Sequence, residues 1–83
     1  MDKQNEIFAS NLKMHRRRLG LTQRALADLI GYTEKSVSKW ECGLTSPDLA
    51  MIVPLARVLH VSADELLGMK PMEQDERKAY FDA

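Results

Sequence analysis

Two threonines and a glycine divide the stretch from Leu21 to Glu41 into two segments so short that few folds can use them. Thr22 and Thr33 each stand just ahead of a run with helical spacing, where a hydroxyl oxygen accepts from the orphan N–H groups of a first turn. Gly31 lies between the two segments, where a left-handed residue closes a helix. Leu26, Ala27 and Ile30 fall on one face of the first segment, and Val37 and Trp40 on one face of the second. Helices this short are unstable alone in water, so the pair must share a core with other elements. The pattern predicts two capped helices joined by a tight turn inside an all-α domain. The opposite face of the second helix then carries Glu34, Lys35, Ser38 and Lys39, all able to hydrogen-bond.

The flanking sequence supplies a small helical platform. Residues from about 5 to 18 predict a first helix with Phe8, Leu12 and His15 inward, ended by Gly20. His15 sits at the edge of that stripe and reads as a structural histidine, because no second histidine or carboxylate cluster accompanies it. Beyond Gly43 comes a polar loop, Leu44-Thr45-Ser46, and Ser46-Pro47 predicts a cap followed by proline at the first helical position. Leu49, Ile52, Leu55, Ala56 and Leu59 then recur at helical spacing. Pro54 falls among them without an N–H to donate, so the fourth helix is expected to bend or to start late. Ser62-Ala63-Asp64-Glu65 has capping-box spacing ahead of Leu66-Leu67, with Gly68 as the stop of a fifth, very short helix.

A length of 83 residues suits one domain with one modest core, taken as residues 1–68. Residues 69–83 follow as an acidic segment. After a break at Met69-Lys70-Pro71-Met72 it forms either one further short helix with acidic residues at its start, or a frayed polar tail. Tyr80-Phe81 would dock on the domain or on a partner chain.

Composition removes several function classes. With no apolar run of about eighteen residues and no basic-then-apolar leader, a soluble cytoplasmic protein without membrane contact is expected. Cys42 is the single cysteine, which excludes an internal disulfide and a cysteine metal cluster and leaves a free thiol. No nucleophile with an assembled base, no metal-ligand cluster and no phosphate loop is present, so neither catalysis nor a metal or cofactor is predicted. The net charge is zero, yet it is unevenly placed. From Lys13 to Lys39 seven bases face two acids, whereas from Trp40 onward four bases face eight acids. The base-rich part coincides with the two short helices. Phosphate contacts supply much of the affinity for DNA, so this local excess points to duplex DNA, whose major groove admits a helix with a polar row.

The whole series of positions resembles a known family. Leu19-Gly20-Leu21-Thr22-Gln23 runs into Leu26-Ala27, Gly31, Ser36-Val37 and Trp40-Glu41-Cys42-Gly43. Pro47, Leu55-Ala56, Leu59-His60-Val61-Ser62 and Glu65-Leu66-Leu67-Gly68 follow at matching intervals. Residues from about 8 to 68 are similar in this way to the compact five-helix DNA-binding domain of lambda-type phage repressors and Cro proteins, the XRE-like family. The resemblance implies a helix-turn-helix at helices 2 and 3. It also implies a sequence-specific double-stranded-DNA-binding regulator, a repressor holding a palindromic operator as a homodimer.

Roles follow position by position from the resemblance. Gln23 matches the glutamine that bonds a backbone phosphate, and Thr22 caps its helix beside the same phosphate. Glu34, Lys35 and Lys39 match base-reading positions, with Thr33 and Ser38 as neighbours. Lysine donates to guanine and glutamate accepts from cytosine, so a G·C-containing half-site is expected, although Lys39 could equally hold a phosphate. Arg16 matches a base paired with the glutamate at Glu41, tying the first helix to the end of the third, and stands as a phosphate neighbour. Gly43 and Thr45, in the loop after the third helix, complete the expected phosphate contacts.

Some positions depart from the family pattern. Ala25 replaces a common glutamate, removing half of a capping box. Cys42 replaces a polar or basic residue. Tyr32 is larger than the usual aliphatic and either packs on Leu21, the preferred reading, or lies along the sugar-phosphate edge. Glu34 carries a negative charge towards DNA, at a cost unless it meets a cytosine or a neighbouring base. A second class of function uses the same fold: an antitoxin bound to its toxin, or a protein that sequesters another regulator, with the acidic segment as the surface for that protein partner.

Overall fold

The computed structural model describes residues 3–69, and the expected helix or tail at 73–83 lies outside them. Five helices follow one another: α1 (Lys3–Arg18), α2 (Gln23–Ile30), α3 (Glu34–Glu41), α4 (Leu49–Leu59) and α5 (Ala63–Leu67). No strand occurs among the described residues. Helices α2 and α3 pack on one another. Helix α1 packs on α3 and α5, and α4 packs on α2 and α5. Each helix contributes to a single core, in which Leu12, Leu26, Val37, Leu55, Leu59 and Leu66 are fully buried. Removal of this apolar surface from water is what makes helices of five to eight residues persist.

The starts of three helices are fixed by hydroxyls. Thr22 Oγ1 accepts from the Ala25 N–H at 3.0 Å, Thr33 Oγ1 from Ser36 at 3.1 Å, and Ser62 Oγ from Glu65 at 3.1 Å. The ends share one device. After every helix a residue with positive φ is followed by a residue whose N–H reaches back five positions to a carbonyl. The bonds run from Leu21 to Arg16, Tyr32 to Ala27, Leu44 to Lys39, Val61 to Ala56 and Met69 to Asp64. Glycine takes the left-handed position at 20, 31, 43 and 68, but His60 takes it after α4, at φ 59°.

The fourth helix corrects the expectation drawn from Ser46-Pro47. Its N-cap is Asp48, in extended conformation, and the first helical residue is Leu49. Pro47 instead lines an apolar groove with Phe8, Leu49, Ile52 and Leu67. Pro54 lies inside the helix. The bond it cannot make would end on the carbonyl of Ala50, in an exposed first turn where water can serve in its place. Tyr32 packs against the core, as Leu21 does, and its ring also meets Trp40, with centroids 5.1 Å apart at 56°.

Candidate nucleic-acid interface

Helix α3 has a buried and an open side. Val37 and Trp40 face the core, and the side away from them presents Glu34, Lys35 and Lys39 exposed, with Ser38 half-buried. Glu34 and Ser38 are four residues apart, as are Lys35 and Lys39, so the four side chains form two adjacent rows on one surface. The structure therefore brings together all four residues expected to read bases. Thr33 stands at the near end of that surface, where its hydroxyl both caps the helix and lies 3.0 Å from Ser36 Oγ.

Behind α3 lies a charged knot. Arg16 Nε donates to Glu41 Oε2 at 2.6 Å and Arg16 Nη2 to Glu41 Oε1 at 2.9 Å, a two-pronged pair between the end of α1 and the end of α3. Arg16 Nη1 donates to the Leu21 carbonyl at 2.8 Å, fixing the connection into α2 as well. The side chains of Arg16 and Glu41 are 9% and 3% exposed, so the pair works in a poorly solvated setting. Hydrogen bonding to Glu41 raises the Arg16 pKa above its ordinary value, burial opposes that rise, and the Glu41 charge adds to it. A raised value means the stabilisation is fully present below the ordinary arginine range and is lost only as pH climbs through the raised one.

The other expected phosphate contacts divide into two groups. Thr22, Thr33 and Thr45 are exposed, and Gln23 is half-buried at the start of α2. Arg16 is turned inward, as described, and Gly43 is buried with its N–H bonded to the Trp40 carbonyl at 3.2 Å. Neither presents a free donor of the expected kind on the surface: the Gly43 amide closes the helix, and three donor atoms of Arg16 are engaged within the domain.

Several contacts escaped the sequence reading. Gln23 Nε2 donates to Glu41 Oε1 at 3.2 Å and so joins the Arg16 pair. Arg18 Nη2 donates to the Leu59 carbonyl at 3.1 Å, binding the ends of α1 and α4. His15 is buried, and its Nδ1 has no hydrogen-bond partner. No group of three or more potential metal ligands occurs among the described residues. No helix among them is long and apolar enough to cross a membrane.

Comparison with known proteins agrees with this geometry. The helix-turn-helix family HTH_3 matches residues 12–66. The uncharacterized HTH-type transcriptional regulator YqaE of Bacillus subtilis is 36% identical over 75 residues, covering 87% of this chain and 65% of that protein. The SPbeta prophage-derived regulator YonR, from the same organism, is 38% identical over 61 residues, covering 74% of this chain and 56% of that protein. The chain thus spans less than two thirds of the length of either relative. Among solved structures, the restriction-modification controller protein C.AhdI from Aeromonas hydrophila superposes with a TM-score of 0.70 at 32% identity, covering 75% of this chain and 94% of that one. The fold, the open face of α3 and these matches converge: the chain belongs to the helix-turn-helix family HTH_3, whose domain its relatives carry as HTH-type transcriptional regulators.

Proposed function

We propose that the chain is a sequence-specific double-stranded-DNA-binding transcriptional regulator, acting in the cytoplasm as a repressor. It inserts α3 into the major groove of a palindromic operator as a homodimer. The observation that carries this reading is the polar face of α3, where Glu34, Lys35, Ser38 and Lys39 stand together on a helix held rigidly from behind. Lys35 and Lys39 donate to guanine, or Lys39 to a phosphate, and Glu34 accepts from a cytosine amino group. Thr22, Gln23, Thr33 and Thr45 hold the backbone on either side, while Arg16 and Glu41 act from inside the domain. Residues 69–83 stand outside the DNA-binding unit, which is residues 1–68.

Selection from a pool of random duplexes by the purified protein tests the reading. An enriched inverted repeat supports a dimer on a two-fold operator, and its spacing gives the dimer geometry. Lys35→Ala should then relax preference at one base-pair position and cost about 1 to 3 kcal/mol of binding at that site. Failure to enrich any sequence would move the assignment to the antitoxin or sequestering class. Sedimentation of a chain shortened to Gly68 locates the dimer contact: unchanged association excludes residues 69–83 as its source.

A further inference from the structure

We propose that Glu41 is a positioning residue for phosphate binding, fixing which edge of the Gln23 amide faces the DNA. The inference rests on the reading of Gln23 as a phosphate ligand. A glutamine amide has a donor end and an acceptor end of nearly equal shape, and only the donor end attracts a phosphate oxygen. A free glutamine turns either end outward. Here Gln23 Nε2 donates to Glu41 Oε1 at 3.2 Å, and an ionised carboxylate accepts hydrogen bonds only. The Gln23 carbonyl oxygen is therefore excluded from that contact by repulsion. One N–H of Nε2 is held by Glu41, and the second diverges from it at the trigonal angle, oriented before any DNA arrives.

The same carboxylate would repel an approaching phosphate if its charge were uncompensated. Arg16 removes that difficulty with two short bonds to the two carboxylate oxygens, and the pair is almost fully withdrawn from solvent. Glu41 Oε1 is shared between Arg16 Nη2 and Gln23 Nε2. The arginine supplies neutralisation and the glutamate supplies direction. Because Arg16 Nη1 also holds the Leu21 carbonyl, the backbone leading to Gln23 is fixed by the same group that neutralises its orienting partner. Preorganisation of this sort improves binding by lowering the cost of ordering the side chain in the complex.

A double-mutant cycle with Gln23→Ala and the isosteric Glu41→Gln tests the proposal on the duplex recovered by selection, with thermal melting of all four proteins as the stability record. Glu41→Gln replaces a carboxylate that can only accept with an amide that presents a donor as well as an acceptor, so the single direction imposed on Gln23 is released. In the unaltered background Gln23→Ala should weaken binding about fivefold, the worth of one net hydrogen bond. In the Glu41→Gln background the same change should weaken it less than about twofold. An equal loss in both backgrounds overturns the positioning role while leaving the DNA-binding reading intact, since both proteins still bind. No loss in the unaltered background overturns both Gln23 as a phosphate ligand and the role built on it. Should Glu41→Gln not fold, relaxation of the Gln23 side-chain amide in the unaltered, DNA-free protein decides. Backbone-like order of that amide supports the proposal, and the fast motion of a solvent-exposed glutamine overturns it.

Discussion

His60 is the one non-glycine residue with positive φ among the described residues, and it closes α4 with the same backbone bonds that glycines close elsewhere. Left-handed backbone costs a residue with a Cβ about 1 to 2 kcal/mol, and glycine recovers part of that after its greater freedom in the unfolded chain is subtracted. His60→Gly is therefore expected to raise stability by about 0.5 kcal/mol, read as a higher urea midpoint. Gly68 gives the opposite case. A Cβ there would meet the side chain of Ile7 on α1 as well as the φ of 78°, whereas a Cβ at Gly20 meets only open space. Gly68→Ala should cost at least about 2 kcal/mol and Gly20→Ala about 1, so the difference between the two melts isolates the α1–α5 contact from the backbone term. Gly20, Gly31 and Gly68 were legible as stops because each ends a run at helical spacing and precedes an apolar residue, as Gly31 precedes Tyr32. His60 was missed for want of a glycine, although Val61 behind it carries the same apolar signal.

At the scale of elements, the caps decide where helices begin. Thr33 both accepts from Ser36 N–H and touches Ser36 Oγ, so Thr33→Ala should lower stability by about 1 kcal/mol while leaving the core packing intact. Because α3 carries the proposed reading face, its first turn should also lose hydrogen-exchange protection ahead of α2. The starts of α2, α3 and α5 could be read from sequence, since a hydroxyl followed by helical spacing has a direct physical meaning there. The start of α4 could not. Ser46-Pro47 has the look of a cap, but Pro47 lines a groove with Phe8 and Leu67, residues far away in sequence, and Asp48 stands at the N-cap without a side-chain bond. Sequence spacing reports local preference and is silent on which distant surface claims a residue. The same limit hid the Gln23–Glu41 bond, which joins the start of one helix to the end of the next.

For the molecule as a whole, a zero net charge hides a division of labour. If α3 and its neighbours meet phosphate through lysine and arginine, the affinity must fall with salt. Removal of one phosphate-bound lysine should lower the log–log slope by about 0.9. Applied to Lys39, this separates its two proposed roles: a slope change assigns it to phosphate, and a sequence-selective loss at constant slope assigns it to a base. The fold's outline was legible because its core positions recur at helical spacing, and the Arg16–Glu41 tie followed from the family resemblance, whereas the other polar ties across the domain were not legible. Among these, Gln4 Nε2 donates to the Leu67 carbonyl at 2.9 Å, and Asn11 Nδ2 lies 3.3 Å from the Glu65 and Leu66 carbonyls. Those bonds join residues 54 to 63 positions apart, so the first turn and the middle of α1 meet the last turn of α5 and seal the domain into a ring. A five-residue helix has no means of persisting outside such a closure. Folding must therefore meet nearly the full loop entropy of the domain before α5 contributes, which makes α5 a late event. Its amides should therefore exchange through a partial opening, below the free energy of global unfolding, and Asn11→Ala should lower that free energy further while sparing α3. Unchanged exchange in that variant would show that Leu66, buried in the core, holds the ring shut alone.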